Sequence, residues 1–151
     1  MKILIQRVTQ ASVEVRGRIV GNIGPGVLVF VGITHTDTAS QVAWLASKLI
    51  NLRIFEDSQG KLSQSLIDQK GSALIISQFT LYADCNGGRR PSFTQAAPPE
   101  IANPLYEQFI DEVRKSGISV ACGIFGAEMK VSLINDGPVT IMLERSTHHN
   151  G

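Results

Sequence analysis

The chain has 151 residues, of which 43% are hydrophobic and 18% charged, and its formal net charge is +1. This length and composition fit one folded domain with a full core and exclude a disordered chain. The small net charge excludes a general attraction to nucleic acid, so such a partner would need a local basic patch. The two cysteines form neither a disulfide framework nor a zinc-binding spacing, which predicts a cytoplasmic protein. We also expect no signal peptide and no membrane partner, because no apolar run approaches the ~20 residues of a membrane span.

The first third of the chain is patterned as β-strand. Alternating apolar residues predict strands around 3–5 and 13–15. Gly17-Arg18 then separates the second of these from another β-rich run at 19–23, which indicates a hairpin. Residues 27–33 are almost wholly apolar and β-branched, as is typical of a central strand buried on both faces.

Two later segments have helical spacing. Thr36-Asp37-Thr38 offers Asp or Thr as the N-cap of an amphipathic helix over 38–51. A second helix ends at Gly117, and three prolines leave its start anywhere from 99 to 104. Further strands are predicted at 53–55, 72–79, 118–122, 129–134 and 139–143, and the tail 146–151 is predicted to fray.

The order of these elements predicts the fold class. No repeat, linker or change in composition divides the chain, so residues 1–151 are expected to form a single domain. Two helices cannot cover both faces of so many strands. We therefore predict a mixed α/β (α+β) fold in which one sheet packs on another and the two helices form an outer layer.

Two polar stretches stand at the ends of apolar, strand-like runs. They are Ser77-Gln78-Phe79-Thr80 and Asn135-Asp136-Gly137-Pro138-Val139-Thr140. Neither contains a histidine, a cysteine or a pair of carboxylates, so any chemistry here would depend on main-chain groups and on the substrate. Between them, residues 82–100 form a long loop that carries Arg89-Arg90, and loops of this length are usually functional or disordered.

The whole chain resembles the D-aminoacyl-tRNA deacylases. The resemblance is carried by these two stretches and by three further segments: Arg89-Arg90-Pro91-Ser92-Phe93, Ile5-Gln6-Arg7-Val8 and Arg53-Ile54-Phe55. The resemblance implies a three-layer β/β/α fold and a homodimer with its active site at the interface. It implies hydrolysis of the ester that joins a D-amino acid, or glycine, to the 3′-terminal adenosine of tRNA. That activity would serve chiral proofreading in translation quality control.

The resemblance also implies roles for individual residues. Gly137-Pro138 would be a cis peptide that reaches into the pocket of the partner chain and excludes L-amino acids. Arg7 would hold this Gly-Pro loop. The residues Ser77, Gln78, Phe79 and Thr80 would line the pocket. The segment Cys85-Asn86-Gly87-Gly88 departs from relatives that carry more charge before Arg89, which bears on how firmly the loop grips tRNA.

Each of these residues also has a structural interpretation. Gly137-Pro138 could be an ordinary trans turn, since only about 5 to 6% of X-Pro bonds in folded proteins are cis. Thr80 could be a β-branched strand residue. Because no base is adjacent in the sequence, we expect Thr80 to position groups and not to act as a nucleophile. Backbone N–H groups around 78–80 could stabilise an oxyanion.

Phe79 alone would be a core residue more often than not, but at a pocket mouth it could stack on adenine. Met129 could pack in the core or form the floor of the pocket. Arg89 and Arg90 could be solvated or could contact phosphates. The sequence contains no obvious metal-binding cluster, so neither a metal nor a cofactor is expected, and Cys85 and Cys122 are interpreted as structural.

Two other functions compete with the deacylase. One is a non-catalytic RNA- or DNA-binding module on the same fold, which would need the basic loop but not the Gly-Pro geometry. The other is a general esterase, which the absence of Gly-x-Ser-x-Gly and of a base for Ser77 argues against.

Overall fold

The computed structural model describes residues 1–148, so the end of the tail that is predicted to fray lies outside the described residues. Eight strands and two α-helices are formed. They are β1 (Lys2–Val15), β2 (Arg18–Ile23), β3 (Gly26–Gly32), α1 (Ala39–Asn51), β4 (Phe55–Glu56), β5 (Leu62–Gln64), β6 (Ser72–Ser77), α2 (Pro99–Lys115), β7 (Val120–Cys122) and β8 (Lys130–Glu144). Across these residues, no helix has the length and apolarity to cross a membrane.

A six-stranded sheet in the order β2-β1-β3-β6-β7 organises the molecule, with β8 along β1. β1 is long enough to pair with β3 through residues 2–8 and with β2 through residues 11–15. β8 runs antiparallel to nearly all of β1. β3, β6 and β7 are parallel to one another, and β4 and β5 form a separate hairpin.

β1 changes the core that it faces along its length. Ile3 and Ile5 pack with the helices in one cluster, whereas Val8, Ala11 and Val13 belong to a second cluster on the other side of the sheet. Register shifts after Gln6, Val8 and Val13 bend the strand, as β-bulges do. The sheet thus folds over on itself, and the end of β1, β2 and the start of β8 cover the face of β3 and β6 that the helices leave open.

The predicted mixed fold, with two packed β layers and two outer helices, is confirmed. The sequence did not show that β1 and β8 run through both layers, so that hydrogen bonds join the layers into one sheet. β3 is the central strand, buried on both faces as predicted: residues 27, 29 and 31 face the helices, and Leu28 faces the second cluster.

The helices follow their predicted signals. Thr38 is the N-cap of α1 and forms a capping box with Gln41. α2 begins at Pro99, a first-turn position that tolerates the missing N–H, and it includes Pro104. Gly117, with φ of 92°, follows its C-cap.

Two predicted strand boundaries were wrong near the polar stretches. The strand predicted over 72–79 ends at Ser77, and residues 79–82 form a 3-10 turn. The two strands predicted on either side of residues 136–138 are a single strand, β8, that bulges there and continues in the same direction. The short strand predicted at 53–55 is displaced to 55–56, and the one predicted at 118–122 ends as predicted but begins only at residue 120.

Candidate active site

A cavity of about 560 Å³ opens at the carboxyl ends of the parallel strands β3 and β6. Ligands commonly bind at this edge of parallel sheets. The walls come from these two strands, the loop after residue 92, the start of α2 and the segment before β8. The lining residues are Val31, Ile33, Ile76, Ser77, Gln78, Phe79, Phe93, Ala96, Ala97, Pro99, Ala102, Tyr106, Phe125, Gly126, Ala127, Met129 and Val131.

Ser77, Gln78 and Phe79 of the polar stretch after β6 line this cavity, whereas Thr80, which was also expected to line it, is exposed and lies outside the lining. Gln78 donates its backbone N–H to the carbonyl of Val31 at 2.7 Å, and its side-chain amide donates to the hydroxyl of Thr80. The N–H groups of Phe79 and Thr80 begin a 3-10 turn and have no hydrogen-bond partner among residues 1–148. Of the N–H groups expected around 78–80, two therefore remain able to bind a ligand.

Phe79 is exposed, so its interpretation as a core residue was wrong. The residue is 57% exposed, and its ring meets Phe93 edge to face, with the ring centroids 5.1 Å apart. Met129 lines the cavity and also packs against the second core cluster. The sulfur of Met129 packs directly against Gly123, since a Cβ on residue 123 would lie 2.5 Å from that sulfur.

The cavity wall contains no base for a nucleophile. Of its lining residues only Tyr106 is titratable, and its hydroxyl donates to the carbonyl of Ile75 at 2.8 Å. Burial raises the pKa of the Tyr106 phenol above its usual value of 10.0, so the ring stays neutral near neutral pH. Across residues 1–148, no group of three or more metal-ligating side chains is assembled.

The second polar stretch forms a loop that bulges from β8 opposite Arg7. Gln6 of β1 lies opposite Thr140 and Val8 lies opposite Asn135, so residues 136–139 protrude between them. The Gly137–Pro138 peptide bond is cis, as the resemblance implies. The Asn135 side chain closes the base of the loop: it accepts from the N–H of Val139 and donates to the hydroxyl of Thr140.

Arg7 contacts this loop from the neighbouring strand β1. Its side chain is only 8% exposed, and Nε donates to the carbonyl of Asp136 at 3.1 Å while Nη1 donates to the carbonyl of Ile54 at 2.8 Å. The carboxylates of Asp136 and Glu56 lie 3.6 and 4.0 Å from the guanidinium. One buried, forked cation therefore fixes the loop to the rest of the domain.

The Gly-Pro loop and the cavity of the same chain are separate. Arg7 lies opposite Val27 at the start of β3, whereas the cavity touches β3 at Val31. Four residues of strand correspond to about 13 Å. Neither Gly137 nor Pro138 lines the cavity, and both are exposed.

Arg89 and Arg90 lie in the exposed loop between the 3-10 turn and α2. A backbone bridge between Asp84 and Ser92 closes the outer part of this loop, and a second bridge joins Thr34 to Ala96. In the described residues neither arginine forms an ion pair or a side-chain hydrogen bond. Both guanidinium groups are therefore free to meet an external anion.

Several cavity residues could not be identified from the sequence. Phe93, Phe125 and Tyr106 come from three segments that only the folded chain brings together. Phe93 stands in the Arg-Arg-Pro-Ser-Phe motif, but Phe125 has no local signal.

Comparison with known proteins gives a consistent result. A family model described as D-Tyr-tRNA(Tyr) deacylase matches residues 4–144. The chain is 57% identical to a D-aminoacyl-tRNA deacylase of Rhodopirellula baltica, over 95% of this chain and 99% of that protein. It is 53% identical to that of Thermomicrobium roseum, over 100% of this chain and 98% of that protein.

Solved structures share the fold. A structure described as c-Myc DNA unwinding element binding protein is 42% identical, with a TM-score of 0.91 over 97% of this chain and 100% of that one. A structure described as a probable eukaryotic D-amino acid tRNA deacylase has a TM-score of 0.83, covers 94% of this chain and 97% of that chain, and is 21% identical, so it supports the fold alone.

Proposed function

Because the chain belongs to the D-Tyr-tRNA(Tyr) deacylase family, a family of ester hydrolases, we propose that it hydrolyses the ester between a D-amino acid, or glycine, and the 3′-terminal adenosine of tRNA. The products are the free amino acid and tRNA. The observation that carries this proposal is the largely apolar cavity lined by Ser77, Gln78 and Phe79, next to a turn in which the backbone N–H groups of Phe79 and Thr80 are unpaired among the described residues.

The proposed mechanism relies on positioning. An aminoacyl ester is already activated, and the neighbouring ribose 2′-hydroxyl can help a water molecule to attack it. The N–H groups of Phe79 and Thr80 then stabilise the developing oxyanion, which in other enzymes contributes about 3 to 4 kcal/mol per donor. Gln78 orients Thr80, and Phe79 stacks on the terminal adenine. The absence of a carboxylate, histidine, lysine or cysteine from the described cavity wall supports water as the nucleophile.

Chiral exclusion is assigned to the Gly137-Pro138 loop of a partner subunit. In a homodimer the loop would enter the neighbouring cavity, and its carbonyl groups would bind the α-amino group and leave no space for an L side chain. Two features support an assembly of this kind. The loop does not line the cavity of its own chain, and β8 pairs only with β1 among the described residues, leaving an open edge near exposed Ile134 and Met142.

A second candidate function is favoured by one specific observation. The 42% identical structure is described as a DNA unwinding element binding protein. A non-catalytic DNA-binding module would use Arg89 and Arg90 without requiring the Gly-Pro loop.

Deacylation of D-Tyr-tRNA and L-Tyr-tRNA separates these functions. Wild-type protein should cleave only the D ester, and Gly137→Ala should lose activity or selectivity, because Gly137 has φ of 120° and a Cβ there would lie 2.6 Å from Nη2 of Arg7. Gly117→Ala is the matched control, since Gly117 has a comparable φ of 92° with no atom near its Cβ position. Cleavage of neither ester, with DNA binding retained, would contradict the deacylase assignment.

A further inference from the structure

Away from the cavity, two cations converge on one partly exposed tryptophan. The guanidinium carbon of Arg145 lies 4.6 Å from the centroid of the Trp44 ring, and Nζ of Lys48 lies 5.7 Å from it. Trp44 is 37% exposed, so part of the indole remains accessible beside the two charges. We refer to Trp44, Lys48 and Arg145 as the Trp44 ridge.

The charges of the Trp44 ridge are not neutralised by the rest of the chain. α1, which carries Trp44 and Lys48, contains no Asp or Glu. The nearby carboxylate of Asp37 is fully buried and paired with the Met1 ammonium group. Glu144, which precedes Arg145, lies opposite Lys2 in the β1–β8 register. Within residues 1–148, neither Lys48 nor Arg145 takes part in an ion pair.

This arrangement favours an anionic partner. Two like charges that share one aromatic ring repel each other, and an anion that contacts both relieves the repulsion. Arg and Lys are the usual ligands of backbone phosphates, and here the exposed indole holds both cations side by side through cation–π contacts. The net charge of the chain is only +1, so this density of positive charge is local.

A chain of hydrogen bonds links the Trp44 ridge to the 3-10 turn that follows the cavity-lining residue Gln78. Arg145 and Met1 exchange backbone hydrogen bonds, each of 2.9 Å. The next residue, Lys2, donates its ammonium group to the carbonyl of Leu81 at 3.4 Å, within the 3-10 turn that carries Thr80. A polynucleotide whose 3′ end enters the cavity would therefore have these cations within reach of its adjoining backbone.

We propose that the Trp44 ridge binds backbone phosphates of the acceptor stem of the same aminoacyl-tRNA. This inference rests on the proposed function, and it adds a contact outside Arg89 and Arg90. It predicts that the ridge contributes to hydrolysis only when the ester is carried by a long RNA.

The test compares a full substrate with one that lacks the stem. In Lys48→Gln/Arg145→Gln, kcat/KM for D-Tyr-tRNA at low salt should fall about tenfold. The slope of log(kcat/KM) against the logarithm of the salt concentration should become less negative by about 1 to 2. Hydrolysis of the D-tyrosyl ester of adenosine should stay within about twofold of wild type, because that ester carries no neighbouring phosphate.

Arg114→Gln/Lys115→Gln is the matched control, since it removes two exposed cations from the far end of α2, and it should behave as wild type with both substrates. Wild-type salt dependence in the Lys48→Gln/Arg145→Gln variant, or an equal loss on the adenosine ester, would overturn the proposal. So would a loss of affinity for duplex DNA with unchanged tRNA affinity, since that would assign the ridge to DNA. If wild-type protein cleaves no D ester, the proposed function fails, and filter binding of uncharged tRNA to the same variants still tests the ridge.

Discussion

At the scale of single residues, Thr80 has a hydrogen-bond partner but no base. Its hydroxyl accepts from the Gln78 amide, and no carboxylate or imidazole lines the described cavity. We therefore predict that Thr80→Val and Gln78→Ala each lower kcat by less than about 100-fold, because the backbone oxyanion donors remain in place. Single-turnover deacylation of D-Tyr-tRNA measures this directly. A fall to the uncatalysed rate in either variant would indicate that a side chain, and not the main chain, carries the reaction.

Tyr106 is the titratable residue of the cavity, and its role is structural. Burial holds the pKa of the Tyr106 phenol above its usual value, so the phenol neither gains nor loses a proton between about pH 6 and pH 9. Tyr106→Phe should leave the shape of the kcat/KM–pH profile unchanged. The same variant should destabilise the fold by about 1 kcal/mol, since the carbonyl of Ile75 loses the Tyr106 donor and keeps only the longer hydrogen bond of 3.4 Å from the N–H of Gly123. Urea unfolding measures the change in the free energy of unfolding. A change in the shape of the pH profile would assign Tyr106 to catalysis.

Of the residues that line the cavity, the polar ones were easier to recognise in the sequence than the aromatic ones. Ser77 and Gln78 stand out because small polar groups directly follow an apolar strand. Phe79 was ambiguous because an aromatic residue fits a core or a pocket mouth equally well, and only its exposure after the chain turns at Gln78 decides between them.

At the scale of elements, the site depends on how closely β3 approaches the 3-10 turn. A Cβ on Gly32 would lie 2.9 Å from Cβ of Leu81 and 3.2 Å from the carbonyl oxygen of Gln78. Gly32→Ala should therefore displace the turn and its unpaired N–H groups by a few tenths of an ångström. Because oxyanion stabilisation is sensitive to such a shift, we expect kcat to fall about tenfold or more with little change in KM.

Gly24→Ala is the control for this prediction, since its Cβ would meet no atom within 4 Å and its φ lies outside the left-handed region. Both variants should show two-state unfolding, and only Gly32→Ala should lose activity. A large rise in KM at unchanged kcat would mean that Gly32 shapes substrate binding and not the oxyanion site.

The predicted boundaries of elements were wrong where tertiary contacts override the local sequence pattern. α1 was predicted accurately because its capping box and apolar stripe are both local signals. β8 was divided in two because Asp136-Gly137-Pro138 is a turn sequence, yet pairing with β1 on both sides of the bulge keeps one direction. The strand to 79 was too long because the carbonyl of Gln78 accepts from the N–H of Leu81, which begins the 3-10 turn directly after the last sheet contact.

At the scale of the whole molecule, the sequence predicted the layers but not the cavity. The count of strands and helices was enough to require β/β/α packing. The mouth of the cavity joins Phe79, Phe93 and Phe125 across long sequence separations, which no local pattern encodes. The positions of Arg7 and the Gly-Pro loop likewise follow from the β1–β8 register, since only that register places residues 136–139 beside Arg7.

The separation of the loop from its own cavity leads to a test of the proposed dimer. If the loop acts on the neighbouring subunit, a mixed dimer of Gly137→Ala and Thr80→Ala subunits contains one intact site: the cavity of the first subunit with the loop of the second. Each variant is chosen to impair a different half of the site. Co-refolding equal amounts should add about a quarter of the wild-type rate to the residual activity of the two variants, since half of the dimers are mixed and each of these has one of its two sites intact.

The control pairs two defects in the same half of the site. Gly137→Ala mixed with Arg7→Ala should recover nothing, because Arg7 holds the loop of its own chain through the carbonyl of Asp136. Recovery in this control would mean that simple mixing stabilises the protein. No recovery in the first mixture, with dimers confirmed by light scattering, would show that loop and cavity act within one chain. It would then require the loop to cross the distance along β3 that separates Val27 from Val31.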